Sequence, residues 1–571
     1  MKRPIKTSIV AAAVLAGMLP ILPASAELKE NINRVGGVGG SSGGHIAFEG
    51  NRLYMGTYGT GMRWFDISDP KNPKLLGTYE PGTTISPRAD AVPDAAVFDG
   101  RHIAILNGTG RSNFSPIASL NTQKTEFLDV TDPAKPVLLH TFTAPSSPND
   151  AEAHNGDIFD AERLWLPSGG GSGGTMRDTG LRIYDLQPLL DNPADPSGVD
   201  NPANNPKRIF PSDSCWTDAA VLCDPVTLWR DSPYRGDKPV GPEPFTHTHD
   251  ITIYPDHPVA QADGSTQLRD IILLAEGGNY QSPGLGSVFV IDITDPSNPV
   301  VLYRWLHQTG TGHHPIRYHH EAIFIEGKPN LMIVADEDLH NGCGTAGGLT
   351  AVQLTPDLLS GTETSEWFIP AGTPAAVCSS HVFSTAGNLL FMGAYNAGTQ
   401  VVDYSDPAKP KRAGFYIGDG STAWGAYYNP DNGFIYQGDV SRGLDVLQFL
   451  APIPGLPTGG GGTVSPPIRT CPGRASSPLA QLVGTEQKDV LRGGSGNEII
   501  CGLGKKDTIK GGGGRDIIIA GGGNDRVNGG AGNDKIVGGG GNDRLRGGSG
   551  RDRCIGSKGR DRGSKCEKGK L

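Results

Sequence analysis

The chain has 571 residues, 83 of them glycine and 45 proline, and a formal net charge of −10. That length suits two domains, or one large domain with an appendage, and the glycine and proline content with few helical patterns excludes a helix bundle and indicates an all-β protein. From Cys471 onward 19 Lys/Arg stand against 11 Asp/Glu, a net of +8 that leaves −18 for everything before it, so the two parts suit different partners.

Lys2, Arg3 and Lys6 precede an apolar run from Ile9 to Leu22 and then Ala24-Ser25-Ala26. A basic start, a short apolar stretch and small residues at −3 and −1 describe a secretory signal peptide over residues 1–26. Pro20 and Pro23 interrupt a run already too short to span a bilayer. No other stretch is long enough for a transmembrane helix, so the expected location is secreted, extracellular. The eight cysteines are an even number for an oxidising compartment, where disulfides are the default. Nearest-neighbour pairing is Cys215–Cys223, Cys343–Cys378, Cys471–Cys501 and Cys554–Cys566, although spacing alone leaves the connectivity open.

One phrase then recurs: FDISDPKNPKLLGTY from Phe65, LDVTDPAKPVLLHTF from Leu128, IDITDPSNPVVLYRW from Ile291 and VDYSDPAKPKRAGFY from Val402. Weaker echoes at Leu181, Leu349 and Gly443 bring the count to seven. Each unit holds four short alternating or apolar segments divided by Gly, Asp and Pro, which predicts four antiparallel strands. The Asp-Pro-x-x-Pro stretch forces a rigid bend between the third and fourth. Seven such sheets predict a seven-bladed β-propeller over residues 27–451, whose closure leaves only short edges. The last unit lacks a fourth strand after Phe449, and the segment Asn31–Val38 is expected to supply it. Residues 187–245, rich in Pro, Asn and Asp, read as a long excursion between blades. The glycine runs Gly36–Gly44 and Gly169–Gly174 read as flexible loops rather than phosphate cradles. The D-[IV]-[ST]-D-P-x-x-P phrases resemble the LVIVD-repeat family of bacterial extracellular propellers.

Histidines gather where the first strand of several blades begins: His45, His154, His247 and His249, His319 and His320, and His381, with Asp157, Asp250 and Glu321 at matching positions. First strands line a propeller's channel, so these side chains can converge on a copper, zinc or iron ion. A metal there would resemble that of the selenium-binding protein and methanethiol oxidase group. The competing expectation is structural, with His and Asp bonding neighbouring turns, and Asp94 and Trp424 interrupt the ring. No GxSxG elbow, P-loop or HExxH occurs.

After the Pro/Gly linker of residues 452–470, a period of nine governs residues 471–571. Asp489, Glu498, Asp507, Asp516, Asp525, Asp534, Asp543, Asp552 and Asp561 follow one another without a slip, and an apolar residue stands two places after most of them. Glycines permit the tight turns, the carboxylates offer hard oxygens for Ca2+, and the apolar residues fill a narrow core. With two repeats per coil, Asp507, Asp525 and Asp543 stack on one side of a parallel β-roll and Asp516, Asp534 and Asp552 on the other. The pattern resembles the hemolysin-type (RTX) nonapeptide GGxGxDxUx, which implies calcium as cofactor at these nine carboxylates. Leu503 and Lys505 occupy glycine positions. The roll is basic, so its calcium dependence is expected to be mild. It suits an anionic cell-surface polymer rather than a specific nucleic acid.

The function expected from the sequence is that of a secreted calcium-binding protein whose propeller binds a ligand of unknown identity. The reading leans away from an enzyme and names no catalytic residue. The alternative is a metal-dependent oxidoreductase that uses the channel histidines.

Overall fold

The computed structural model describes residues 27–566 except 41, 58–60, 81–90, 99–100, 109–124, 143–154, 160–162, 169–180, 192–205, 211–231, 236–247, 277–286, 308–318, 338–341, 345–346, 455–479, 486–487 and 495. Seven antiparallel sheets form the propeller and two parallel sheets the roll. Blade 1 pairs Gly43–Glu49, Arg52–Thr57, Gly61–Asp66 and Lys74–Tyr79 in chain order. The same order recurs in blades 2 to 5, over residues 91–141, 155–210, 248–306 and 319–367. Blades 6 and 7 start at Phe383 and Ala423. First strands touch those of the neighbouring blades, and that of blade 7 touches that of blade 1, which closes the ring.

Closure comes from the N-terminal segment. Ile32–Val38 pairs antiparallel with Gly443–Phe449, Ile32 opposite Phe449 and Val38 opposite Leu444. Ile32 is buried, and Arg34 Nε lies 2.5 Å from Asp445 Oδ1. Leu28–Glu30 adds a further strand to the edge of blade 6, Leu28 opposite Ile417, which the repeat pattern did not announce. Gly36 and Gly37 therefore lie in a strand and not in a loop. A Cβ on Gly36 would fall 2.5 Å from the Lys71 carbonyl oxygen, so close approach, not flexibility, explains that glycine. Gly169–Gly174 lies outside the described residues.

The Asp-Pro-x-x-Pro bend is built four times alike. Asp66, Asp129, Asp292 and Asp403 each accept the N–H two residues on, at 2.8–3.0 Å. Asp69, Asp132, Asp295 and Asp406 repeat this at 3.1 Å, while their carbonyls accept the N–H three residues on at 3.0 Å. Aspartate is selected because its short carboxylate satisfies backbone donors that a proline-stiffened turn leaves unpaired. The bend also clasps the preceding blade: Trp64 donates to the Pro133 carbonyl at 3.2 Å and Ser365 to that of Pro407 at 2.7 Å. Apolar cores lie between blades, as where Ile183 of blade 3 packs with Ile251, Ile272 and Phe289 of blade 4.

The stretch 187–245 is not a single excursion. It opens with a helical turn, Gln187–Asp191, and contains Lys207–Phe210, which pairs with Ile183–Asp185 as the outer strand of blade 3. Blade 3 needs that fourth strand to cover its edge, and this outweighs the loop-like composition. Cys343–Cys378 and Cys554–Cys566 are disulfides, and Cys501 is disulfide-bonded too. Cys215, Cys223 and Cys471 lie outside the described residues.

In the roll each strand pairs in parallel with the strand 18 residues on, Ile500 with Ile518 and Val527 with Leu545. Two nonapeptides thus make one coil. Leu491, Ile500, Ile509, Ile518, Val527, Ile536, Leu545 and Cys554 form its buried core.

Candidate functional sites: the carboxylate ladders and the channel mouth

In the roll the aspartates form two ladders. The N–H of Asp489 donates to Asp507 Oδ1 at 2.7 Å, Asp507 to Asp525 at 2.7 Å, Asp525 to Asp543 at 2.8 Å and Asp543 to Asp561 at 2.8 Å. On the other side Glu498 donates to Asp516 at 3.0 Å, Asp516 to Asp534 at 2.9 Å and Asp534 to Asp552 at 2.9 Å. Glu498 itself, longer by one methylene, folds back to accept the Gly494 N–H at 3.2 Å. Asparagine one place before the aspartate adds an outer rung, as where Asn533 accepts the Arg551 N–H at 2.8 Å.

Asp507 through Asp552 are buried, and the Oδ2 atoms of Asp516, Asp525, Asp534 and Asp543 are enclosed without a hydrogen-bond partner. Leaving a carboxylate oxygen so is costly unless a cation meets it. Burial, with the neighbouring aspartates of the same ladder, pushes Asp516 and Asp525 up to about 7 and raises Asp534 and Asp543. The donor set, all hard oxygen and stacked coil on coil, fits calcium. The cations next to them in sequence, among them Arg515, Arg526 and Arg544, are exposed.

In the propeller, the first strands of blades 1, 4, 5 and 7 shift register near their starts. The shifts fall between Gly43 and Ile46, Thr248 and Ile251, His319 and Ala322, and Ala423 and Gly425. His45, the pair His249-Asp250, the pair His320-Glu321 and Trp424 occupy these bulges. A regular strand would send adjacent side chains to opposite faces, whereas a bulge re-aims them.

Both His249 and Asp250 are consequently buried together beside His320. Asp250 Oδ2 lies 3.1 Å from His320 Nδ1 and 3.5 Å from His249 Nδ1, and Asp250 Oδ1 is buried without a hydrogen-bond partner. Ring centroids run from His249 to His320 at 4.0 Å, His320 to His381 at 4.2 Å and His381 to His45 at 6.0 Å. Glu337, at the end of the second strand of blade 5, joins them and accepts from Tyr395 Oη. Two sets of potential ligand atoms result, His249/Asp250/His320 and His320/Glu337/His381, each within 4.8 Å. Burial, followed by neighbouring imidazoles, holds His320 and His381 below their ordinary values. Burial alone would raise Asp250, yet His249 and His320 hold it well below the usual carboxylate range.

Not every expected residue reaches this cluster. His319 points the other way, against Trp305 with centroids 5.2 Å apart, and burial with His307 pushes it down to about 3. His154 and His247 lie outside the described residues. Asp94 and Glu321 do the structural work anticipated as the alternative: Asp94 accepts the Ile158 N–H of blade 3 at 2.5 Å, and Glu321 the Phe383 N–H of blade 6 at 3.1 Å. Burial, then neighbouring carboxylates, raises Asp157 and Glu321 well above the ordinary range. Sequence reasoning missed Glu337, Tyr395 and Tyr427. The available signal for Glu337 was the acidic end of the run MIVADED, which faces the start of the first strand.

Trp424 packs on His381 at 4.4 Å, and the Tyr427 hydroxyl lies 3.3 Å from His45 Nδ1. The cluster is thus walled by aromatic rings. No helix among the described residues is long and apolar enough to cross a membrane.

Comparison with known proteins places two repeat types on this chain. A profile of the RTX calcium-binding nonapeptide repeat matches residues 481–504, 502–536 and 529–562, and one of the LVIVD repeat matches residues 40–81. No curated protein matches the chain. Among solved structures, Chaetomium thermophilum Raptor is similar at 10% identity and a TM-score of 0.41, over 75% of this chain and 30% of that one. Saccharomyces cerevisiae Sqt1 is similar at 7% identity and 0.42, over 74% and 99%. The β-propeller domain of Myceliophteria thermophila Cps50 (Swd1) is similar at 10% identity and 0.40, over 73% and 99%. The chain joins a seven-bladed propeller carrying the LVIVD repeat to an RTX calcium-binding roll.

Proposed function

We propose that this is an exported protein whose calcium-stabilised roll accompanies a propeller that binds its ligand at the channel mouth. The bulge-presented cluster of His249, Asp250, His320, Glu337 and His381 carries the reading, because two adjacent donor groups are buried together there. Stability alone seldom accounts for such a concentration of desolvated imidazole and carboxylate. Export is supported by the first described strand, Leu28–Glu30, which starts two residues beyond Ala26, so cleavage there spares every strand of the ring.

The same cluster favours a second reading, a metal-dependent oxidoreductase. Imidazole with one or two carboxylates suits a copper, zinc or iron ion, and the enclosed Asp250 Oδ1 offers it an oxygen. Elemental analysis of protein purified from the culture medium separates the readings. Copper, iron or zinc at one ion per chain, lost from the H249A/H320A variant while calcium is retained, supports the metal centre. Calcium alone in wild-type protein leaves the ligand-binding reading and removes the oxidoreductase. Recovery of protein only from the cell interior, with residues 1–26 intact, contradicts export.

A further inference from the structure

The roll has two unlike faces. On the sheet built from Val490–Arg492, Thr508–Gly513, Arg526–Ala531, Arg544–Ser549 and Arg562–Ser564, the buried column is flanked by two outward columns. One reads Val490, Thr508, Arg526, Arg544, Arg562 and the other Arg492, Lys510, Asn528, Arg546, Ser564, each residue paired with the next. Arg492, Lys510, Arg526, Arg544, Arg546 and Arg562 are exposed, and the two columns contain no carboxylate. Neighbouring strands lie about 4.8 Å apart, so the cations form a continuous stripe along the coil axis. The carboxylates adjacent in sequence, Asp507, Asp525 and Asp543, are turned into the interior, and among the described residues none of the six cations makes an ion pair. Bound calcium consumes the interior negative charge and leaves the stripe uncompensated.

The opposite sheet differs. Its outward positions include Ile499, Cys501 and Ile517, which pack against Leu268 in the first hairpin of blade 4. One face of the roll is thus apolar and covered at its first coils, and the other is cationic and open.

We infer that the cationic face binds a linear, base-free polyanion, specifically a phosphodiester-linked glycopolymer of a cell surface. Parallel coils present guanidinium groups at a short, regular repeat, and Arg pairs with phosphate bidentately. The choice against single-stranded nucleic acid rests on composition. Residues 471–571 contain no Phe, Trp, Tyr or His, so the roll lacks the stacking surface on which single-stranded bases are held. This goes beyond ligand binding at the channel mouth and is independent of it.

The test uses the full chain in calcium buffer, with poly(glycerol phosphate) as probe and a single-stranded oligonucleotide of equal phosphate number as the competing arm. Poly(glycerol phosphate) should bind more tightly than the oligonucleotide, with affinity falling as salt rises, and binding should be lost wherever chelator and heat together unfold the roll, because only stacked coils align the stripe. R526Q/R544Q/R562Q should weaken binding by about tenfold or more and flatten the salt slope by roughly two units. R515Q/R551Q, on the turn edge, should leave it unchanged. Calcium-dependent circular dichroism confirms that each variant folds, and R544Q/R546Q replaces the triple variant should that one fail. Tighter oligonucleotide binding, binding that survives unfolding of the roll, or equal losses in the face and edge variants would each overturn the inference.

Discussion

At the scale of single residues, the roll shows what its irregular repeats cost. Leu503 and Lys505 take positions where other coils use glycine, and both adopt left-handed backbone, with φ of 73° and 65°. A side chain there is strained by about 1–2 kcal/mol, part of which glycine returns through its extra unfolded entropy. Lys505→Gly should therefore stabilise the calcium-bound roll by roughly 0.5–1 kcal/mol, whereas Lys505→Ala should not. Urea unfolding followed at the roll's transition checks this, and identical midpoints for both variants would refute it. The same scale explains why the histidines were only partly legible. His249 and His320 could be nominated from HTHD and YHHE, but which imidazole faces the channel depends on a one-residue bulge that no alternation pattern contains.

At the scale of elements, the Asp-Pro-x-x-Pro bends were readable because their chemistry is local: each aspartate carboxylate serves the N–H two residues on. The closing strand was readable for a different reason, the missing fourth segment of the last repeat. The outer strand of blade 3 was not, since Lys207–Phe210 is short, polar at one end and set in loop-like sequence. The N-terminal closure should dominate propeller stability. Ile32→Ala, which removes a fully buried side chain beside Tyr416 and Leu447, should lower it by about 2–4 kcal/mol. Calorimetry with two resolved transitions would show the propeller peak falling and the calcium-dependent peak unmoved. A shift of both peaks together would contradict this division of the core.

At the scale of the whole molecule, the roll carries a pH dependence that calcium should reverse. Asp516 and Asp525 have folded-state values raised to about 7, above an unfolded value near 4. A raised carboxyl binds its proton more tightly when folded. Its contribution is present below about pH 4 and is lost as pH rises through about 7. In chelator the roll's melting temperature should therefore fall between pH 5 and pH 8. With saturating calcium the trend should reverse, because protons then compete with the ion for the same oxygens. Thermal melts at both pH values, with and without chelator, check this. A calcium-free roll equally stable at pH 5 and pH 8 would show that the ladders are not desolvated as described.

The sequence by itself determined the all-β class, the seven repeats, the nine-residue phase and the calcium carboxylates' spacing, since each is written as a periodicity in residue type. Tertiary structure decided what depends on contacts between distant segments. Bulges set which channel residues converge, and Glu337 entered the cluster from a second strand. Stacking of the coils buries the aspartates in two ladders. Separating the roll's cationic stripe from its apolar face required knowing that residues 18 apart are neighbours on one sheet. A repeat dictates local geometry through its own side chains, but desolvation and convergence exist only once the ring and the coils have closed.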